Sequence, residues 1–199
     1  MKPVSIRIIL VASLLTMATL ACNISNINMP SNPQPPIPGF VPSPNDASAF
    51  EKNFTDAITQ AQQTGTFNVT VTQQQLSSWV ALNAPAFAKQ QGYDWPLTQA
   101  QVGLDNGKIT LYGVVSAPKI PDTPAQVIFT PSIDANGAIA VKVESGQFGI
   151  VGLPTALLDT LTKAIKDALS SQLNQIQGRY KLSALTVASG TFTVSGQIT

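Results

Sequence analysis

Residues Pro154 to Gln177 read PTALLDTLTKAIKDALSSQLNQIQ, and how this stretch is read decides how the rest of the chain is organised. Leu157, Leu158, Leu161, Ala164, Ile165, Ala168, Leu169, Leu173 and Ile176 recur at steps of three and four, which places them on one broad face of a helix. Asp159, Lys163 and Asp167 stand four apart on the polar face, where opposite charges support one another. Pro154 suits a first helical turn, and Gly178 is a natural stop. Such a helix is roughly 36 Å long. Burial of its large aliphatic residues is worth roughly 10–20 kcal/mol in gross terms, so it calls for an equally long apolar partner.

Working outward, strand signals dominate from Ala100. Val102 and Leu104 lead into Asp105-Asn106-Gly107, and Ile109, Leu111, Gly113 and Val115 return on alternate positions. Pro118, Pro121 and Pro124 punctuate what reads as a crossing loop. Val127, Phe129 and Ile133 then go out, Asn136-Gly137 turns, and Ile139, Val141 and Val143 come back with Lys142 and Glu144 on the other face. After the helix, Leu182 to Val187 and Phe192, Val194 and Ile198 form a pair turned at Ser189-Gly190. Ahead of all these, Phe67, Val69 and Val71 alternate with Asn68 and Thr70. Thr72 and Gln75 form a capping-box pattern for a short helix carrying Leu76, Trp79 and Val80, expected to end near Ala84 because Pro85 follows. Asn45 or Asp46 is placed to cap an earlier helix whose apolar positions are Ala47, Phe50, Phe54, Ala57, Ile58 and Ala61, ending before Gly65. The reading is α+β: about seven antiparallel strands in sequential hairpins with one long C-terminal helix and shorter N-terminal helices.

Residues 1–21 have a different job. Lys2 and Arg7 precede the apolar run Ile8 to Leu20, too short to span a bilayer but suited to a signal-peptide core. It ends in Thr19-Leu20-Ala21-Cys22, which resembles a bacterial lipobox, with Thr19 where Leu is usual. Cys22 is the chain's single cysteine, so it has no disulfide partner within the chain, and lipidation is the expected fate. An ordinary signal peptide with an incidental cysteine is the blander alternative. From Asn23 to Pro44 the chain has seven prolines and no charge, the composition of an extended linker with a reach of roughly 70 Å. Residues 45–199 then form a single domain. The expected location is outside the cytoplasm, with the domain anchored to a bacterial membrane.

Only 11% of residues are charged, and removal of residues 1–21 leaves nine basic against ten acidic side chains. That balance argues against nucleic acid and against an electrostatic membrane patch. The chain has no histidine, so Ser/His/Asp and Cys/His nucleophiles and His- or Cys-based metal sites are excluded. Ser116-Ala117-Pro118-Lys119 has Ser-x-x-Lys spacing but reads as a loop, because Pro118 interrupts the helix that would align the pair. Gly146, Gly149 and Gly152 fit neither phosphate-binding pattern and read as a flexible approach to the long helix. No catalytic residue, cofactor or metal is expected, and the protein reads as a non-enzyme.

The order of these elements resembles the YpmS and YceB families and the mycobacterial LmeA-like proteins. An envelope signal is followed by Thr72-Gln73-Gln74-Gln75-Leu76 with Trp79, by paired hairpins, and by Gly152-Leu153-Pro154 opening a long helix. Those families are similar to tubular lipid-binding (TULIP) proteins, so the resemblance implies a curved sheet wrapped around the long helix, leaving an apolar groove. It further implies binding of a lipid or other apolar molecule without chemistry. The groove would be lined by Leu157, Leu161, Ile165 and Leu169, with Trp79 at one end and Phe87, Tyr93 and Trp95 near its mouth. The alternative is a fully packed core in a structural module that binds an envelope protein partner.

Overall fold

The computed structural model describes residues 31–90, 95, 97–117, 120–155, 159 and 180–198. Two helices and eight strands are formed among them, and the strands make two antiparallel sheets rather than one. Helix α1 spans Pro44–Thr64, β1 Thr66–Thr72 and α2 Gln73–Gln90. Strands β2 (Leu97–Asp105), β3 (Lys108–Ala117), β4 (Ile120–Ile133), β5 (Ile139–Phe148) and the short β6 (Val151–Gly152) form a five-stranded meander in chain order. Strands β7 (Tyr180–Ala188) and β8 (Thr191–Ile198) pair with β1 instead, in the order β1-β8-β7.

This corrects the expectation of about seven strands in one sheet wrapped around a long C-terminal helix. Alternation of apolar and polar residues identifies strands but not their neighbours, and the closing hairpin chose β1, more than a hundred residues earlier, over the meander. β7 does not continue the five-stranded ladder. It runs across the hairpin ends of that sheet: Gly107 N–H donates to Val187 O at 2.9 Å, and Leu182 N–H donates to Gly137 O at 3.2 Å. The two described helices that cover the sheets are both N-terminal. Of the stretch Pro154 to Gln177, Thr155 and Asp159 are helical, and 156–158 and 160–179 lie outside the described residues, as do the signal segment and Cys22.

Local chemistry explains each boundary. Ser43, not Asn45 or Asp46, caps α1: its Oγ accepts the Asp46 N–H at 3.2 Å, and Pro44 takes the first helical position, where a missing N–H leaves no bond unmade. Gly65 closes the helix with φ of 77°, a conformation that strains any side chain. The capping box forms as read, with Thr72 N–H donating to Gln75 Oε1 at 2.9 Å and Gln75 N–H to Thr72 Oγ1 at 3.2 Å. α2 nevertheless runs through Pro85 to Gln90. Pro85 is exposed and the turn before it half-exposed, so water can serve the carbonyl that the proline leaves unpaired.

The crossing loop expected at Pro118, Pro121 and Pro124 is a strand from Ile120 on. Pro124 O accepts from Gly149 N–H, so the proline nitrogen faces the same side, beyond Ala125 where the β5 ladder begins, and no ladder donor is lost. Gly146, Gly149 and Gly152 likewise belong to a tight β5–β6 hairpin turned at Gly149-Ile150, not to a flexible approach.

Two apolar clusters hold the layers together. Ala57 from α1 packs with Val69 and Val71, flanked by Phe50, Phe54, Phe67 and Phe192. Val102, Leu104, Ile109 and Val187 form the second, flanked by Leu76 and Val80 of α2 and again by Phe192, which touches both. Ile58, expected on the buried face of α1, is 39% exposed at its margin.

Edge strand β2 is closed by α2. Fully buried Ser77 accepts the Val102 N–H at 2.9 Å and donates to the Val102 carbonyl at 3.1 Å, and Gln73 Oε1 accepts the Leu104 N–H at 2.8 Å. Two neutral side chains thus occupy, at Val102 and Leu104, backbone groups that an edge strand would leave open.

Candidate functional site

The proline-rich segment and the sheet beneath it form the most specific polar arrangement among the described residues. Pairing register places Gln101, Tyr112, Gln126 and Gln147 side by side on β2, β3, β4 and β5, so all four point from one face of the five-stranded sheet. Residues 31–40 cross that row. Gln147 Nε2 donates to Ser31 O at 2.9 Å, Gln126 Nε2 donates to Gln147 Oε1 at 3.0 Å, and at the far end Ile37 N–H donates to Gln101 Oε1 at 3.1 Å. A proline-rich segment has few N–H groups to offer, and glutamine, which both donates and accepts, suits it. Gln101 and Tyr112 are each 6% exposed beneath it.

Gly103 is a glycine for a spatial reason. A Cβ there would stand 3.0 Å from Pro36, where the segment crosses β2. Ser43 N–H then donates to buried Ser78 Oγ at 3.1 Å, which hands the segment to α1. The part of the linker from residue 31 is therefore fastened to the domain. Sequence reasoning missed this row, because glutamines in separate strands become neighbours only once register is known. The available signal was three isolated glutamines within strand patterns, opposite a chargeless, proline-rich run.

Of the residues expected to line a ligand groove, Leu157, Leu161, Ile165 and Leu169 lie outside the described residues. Trp79 is described and half-buried between the two helices. Its indole N–H donates to Glu51 Oε1 at 3.0 Å, the same oxygen accepts from Asn83 Nδ2 at 3.1 Å, and its ring sits 5.3 Å from that of Phe50. Here Trp79 joins α2 to α1. Phe87 is 42% exposed and Trp95 half-buried, and Tyr93 lies outside the described residues. A depression of about 280 Å³ lies elsewhere, lined by Gln60, Thr66, Phe67, Asn68, Ser183, Ser195 and Gly196. Its lining mixes the Phe67 ring with glutamine, threonine, asparagine and serine, and none of the residues expected to line the groove borders it.

Ser116 sits on β3 and donates to Asp122 Oδ1 at 2.7 Å across the β3–β4 turn, and Lys119 lies outside the described residues. Among the described residues no group of His, Cys, Asp and Glu is placed to hold a metal ion, and no helix is long and apolar enough to cross a membrane. Glu144, exposed on β5, has its carboxyl held below the usual range by the Thr130 hydroxyl and then by Lys108, whose ammonium lies 3.3 Å away, with Lys142 adding to the field. That is a surface network on the face opposite Val143, and nothing in it is arranged for proton transfer. Compared with protein-family models, with curated proteins and with solved structures, the chain finds no match in any of the three.

Proposed function

We propose that the chain is an exported protein held to a membrane by lipid on Cys22, and that its domain is a packed, non-catalytic module that binds a partner at the cell envelope. The observation that carries this reading is the fastening of residues 31–43. From Ser31 on, the segment is laced to the sheet by Gln147 and Gln101, so only the eight residues 23–30 stand between Cys22 and the fastened part of the chain. The bonding of Trp79 to Glu51 supports a packed helix interface rather than a groove end.

A second reading, binding of a lipid or other apolar molecule, rests on the sequence stripe Leu157, Leu161, Ile165 and Leu169 and on the resemblance to YpmS, YceB and LmeA-like proteins. Native mass spectrometry with lipid extraction on the chain from Asn23 to Thr199 decides between them. A clean protein mass, unchanged after incubation with membrane lipids, is expected for the packed module. Adducts of acyl-chain mass that survive washing would overturn it in favour of the ligand reading.

A further inference from the structure

We propose that the β5–β6 hairpin tip, with Ile150 and Val151, seats in the membrane surface beside the lipid anchor and holds the five-stranded sheet end-on to the bilayer. The inference rests on lipidation of Cys22, and it adds an orientation to that reading.

Three observations converge on this tip. The chain arriving from the anchor meets the domain there: Ser31 O accepts from Gln147 Nε2 at 2.9 Å, and Asn32 Oδ1 lies 3.8 Å from where a Cβ on Gly149 would stand. Next, the covalent chain limits the separation. Nine residue steps join Cys22 to Ser31, a reach of at most about 32 Å fully extended. The tip therefore stays close to the surface that holds the lipid, well within the reach expected of a free linker ending at residue 44.

The third observation is the chemistry of the turn. Asn106-Gly107, Asn136-Gly137 and Ser189-Gly190 are polar, as solvated turns are, whereas the β5–β6 turn places Ile150 and Val151 outward at 46% and 55% exposure. Two adjacent exposed aliphatic side chains at a tight hairpin turn are suited to the headgroup–acyl boundary, and they require no basic cluster, in keeping with the chain's near-neutral charge. The anchor supplies the local concentration, and the tip supplies orientation. The occupant is thus a lipid surface rather than a soluble partner.

The test uses the full lipidated protein in vesicles of phosphatidylethanolamine and phosphatidylglycerol. Cys22 is the only cysteine and becomes a thioether when lipidated, so Ile150→Cys introduces the single free thiol for an environment-sensitive dye. The expected result is a blue-shifted emission that nitroxide-labelled lipid quenches, while the same dye at Thr70→Cys, on the exposed face of the three-stranded sheet, remains in water. Equal water exposure at both positions, in protein whose mass shows acylated Cys22, overturns the seating and leaves the anchor standing. A mass showing unmodified Cys22 overturns the anchor reading, and the seating with it.

Discussion

Among the described residues, the three-stranded sheet has one face sealed with carbon and the other left to water, whereas the five-stranded sheet carries α2 over β2 on one face and, on the other, a segment fastened by hydrogen bonds. Val69 and Val71 meet Ala57 of α1 on the sealed side, and on the other side Thr70 and Thr193 share a hydroxyl contact at 3.0 Å in the open. In the larger sheet Val102, Leu104 and Ile109 face α2, and the row from Gln101 to Gln147 carries residues 31–40. Burial of hydrocarbon is worth about 25 cal/mol per Å², and a hydrogen bond exchanged with water about 1 kcal/mol net. The first kind of cover therefore sets stability, and the second sets where a segment lies.

Substitution Val71→Asp places an unpaired charge at a fully buried position and is expected to cost more than about 4 kcal/mol, a large share of a domain's stability. Phe192 packs against both clusters, so urea unfolding followed by circular dichroism and by tryptophan fluorescence should show the two sheets lost together. Separate transitions would break the comparison, making the sheets independent bodies.

Ser77→Ala probes the border between the two kinds of cover. It leaves the buried Val102 N–H and carbonyl without their side-chain partner on β2, an expected loss of about 1–3 kcal/mol by the same denaturation. A smaller effect would mean that water replaces the hydroxyl and that the edge is not closed.

Gln101→Ala and Gln147→Ala are expected to act least on stability, about 1 kcal/mol each, and most on position. Hydrogen exchange at the Ile37 amide should rise about fivefold in Gln101→Ala, the factor that corresponds to such a loss. Proteolysis within residues 31–43 should rise in both variants. Global unfolding at markedly lower urea, with no change in exchange at Ile37, would show that the polar cover is part of the core.

The same contrast explains what was legible in the sequence. Phe67, Val69 and Val71 announce a half-buried strand by alternation alone, and Asn106-Gly107, Asn136-Gly137 and Ser189-Gly190 announce their turns, because both signals are local. Thr72 and Gln75 announce a helix start for the same reason. The pairing of β8 with β1 is a contact between distant residues that no window contains. Pro124 looked like a breaker because its effect depends on which side of a strand lacks a neighbour. The row of glutamines was invisible for both reasons at once: it needs register across four strands and a covering segment whose composition reads as free linker. Trp79 stands out in the sequence as a large ring, but its bond to Glu51, on the other helix, joins residues that no local window contains. The resemblance-based groove rests on residues outside those described.

The closure of β2 by Ser77 and Gln73 has a consequence for molecules crowded in two dimensions. Under the proposed lipid anchoring, copies would share a plane, and sideways encounter there would be far more frequent than in bulk solution. Soluble proteins commonly repel such encounters with lysines along the exposed strand, a device that a chain with 11% charged residues can use only sparingly. A hydroxyl and an amide already bonded to the strand deny an approaching neighbour both backbone groups of Val102 and the N–H of Leu104. That guard needs no charge, so high salt, which weakens a lysine fence, would leave it in place.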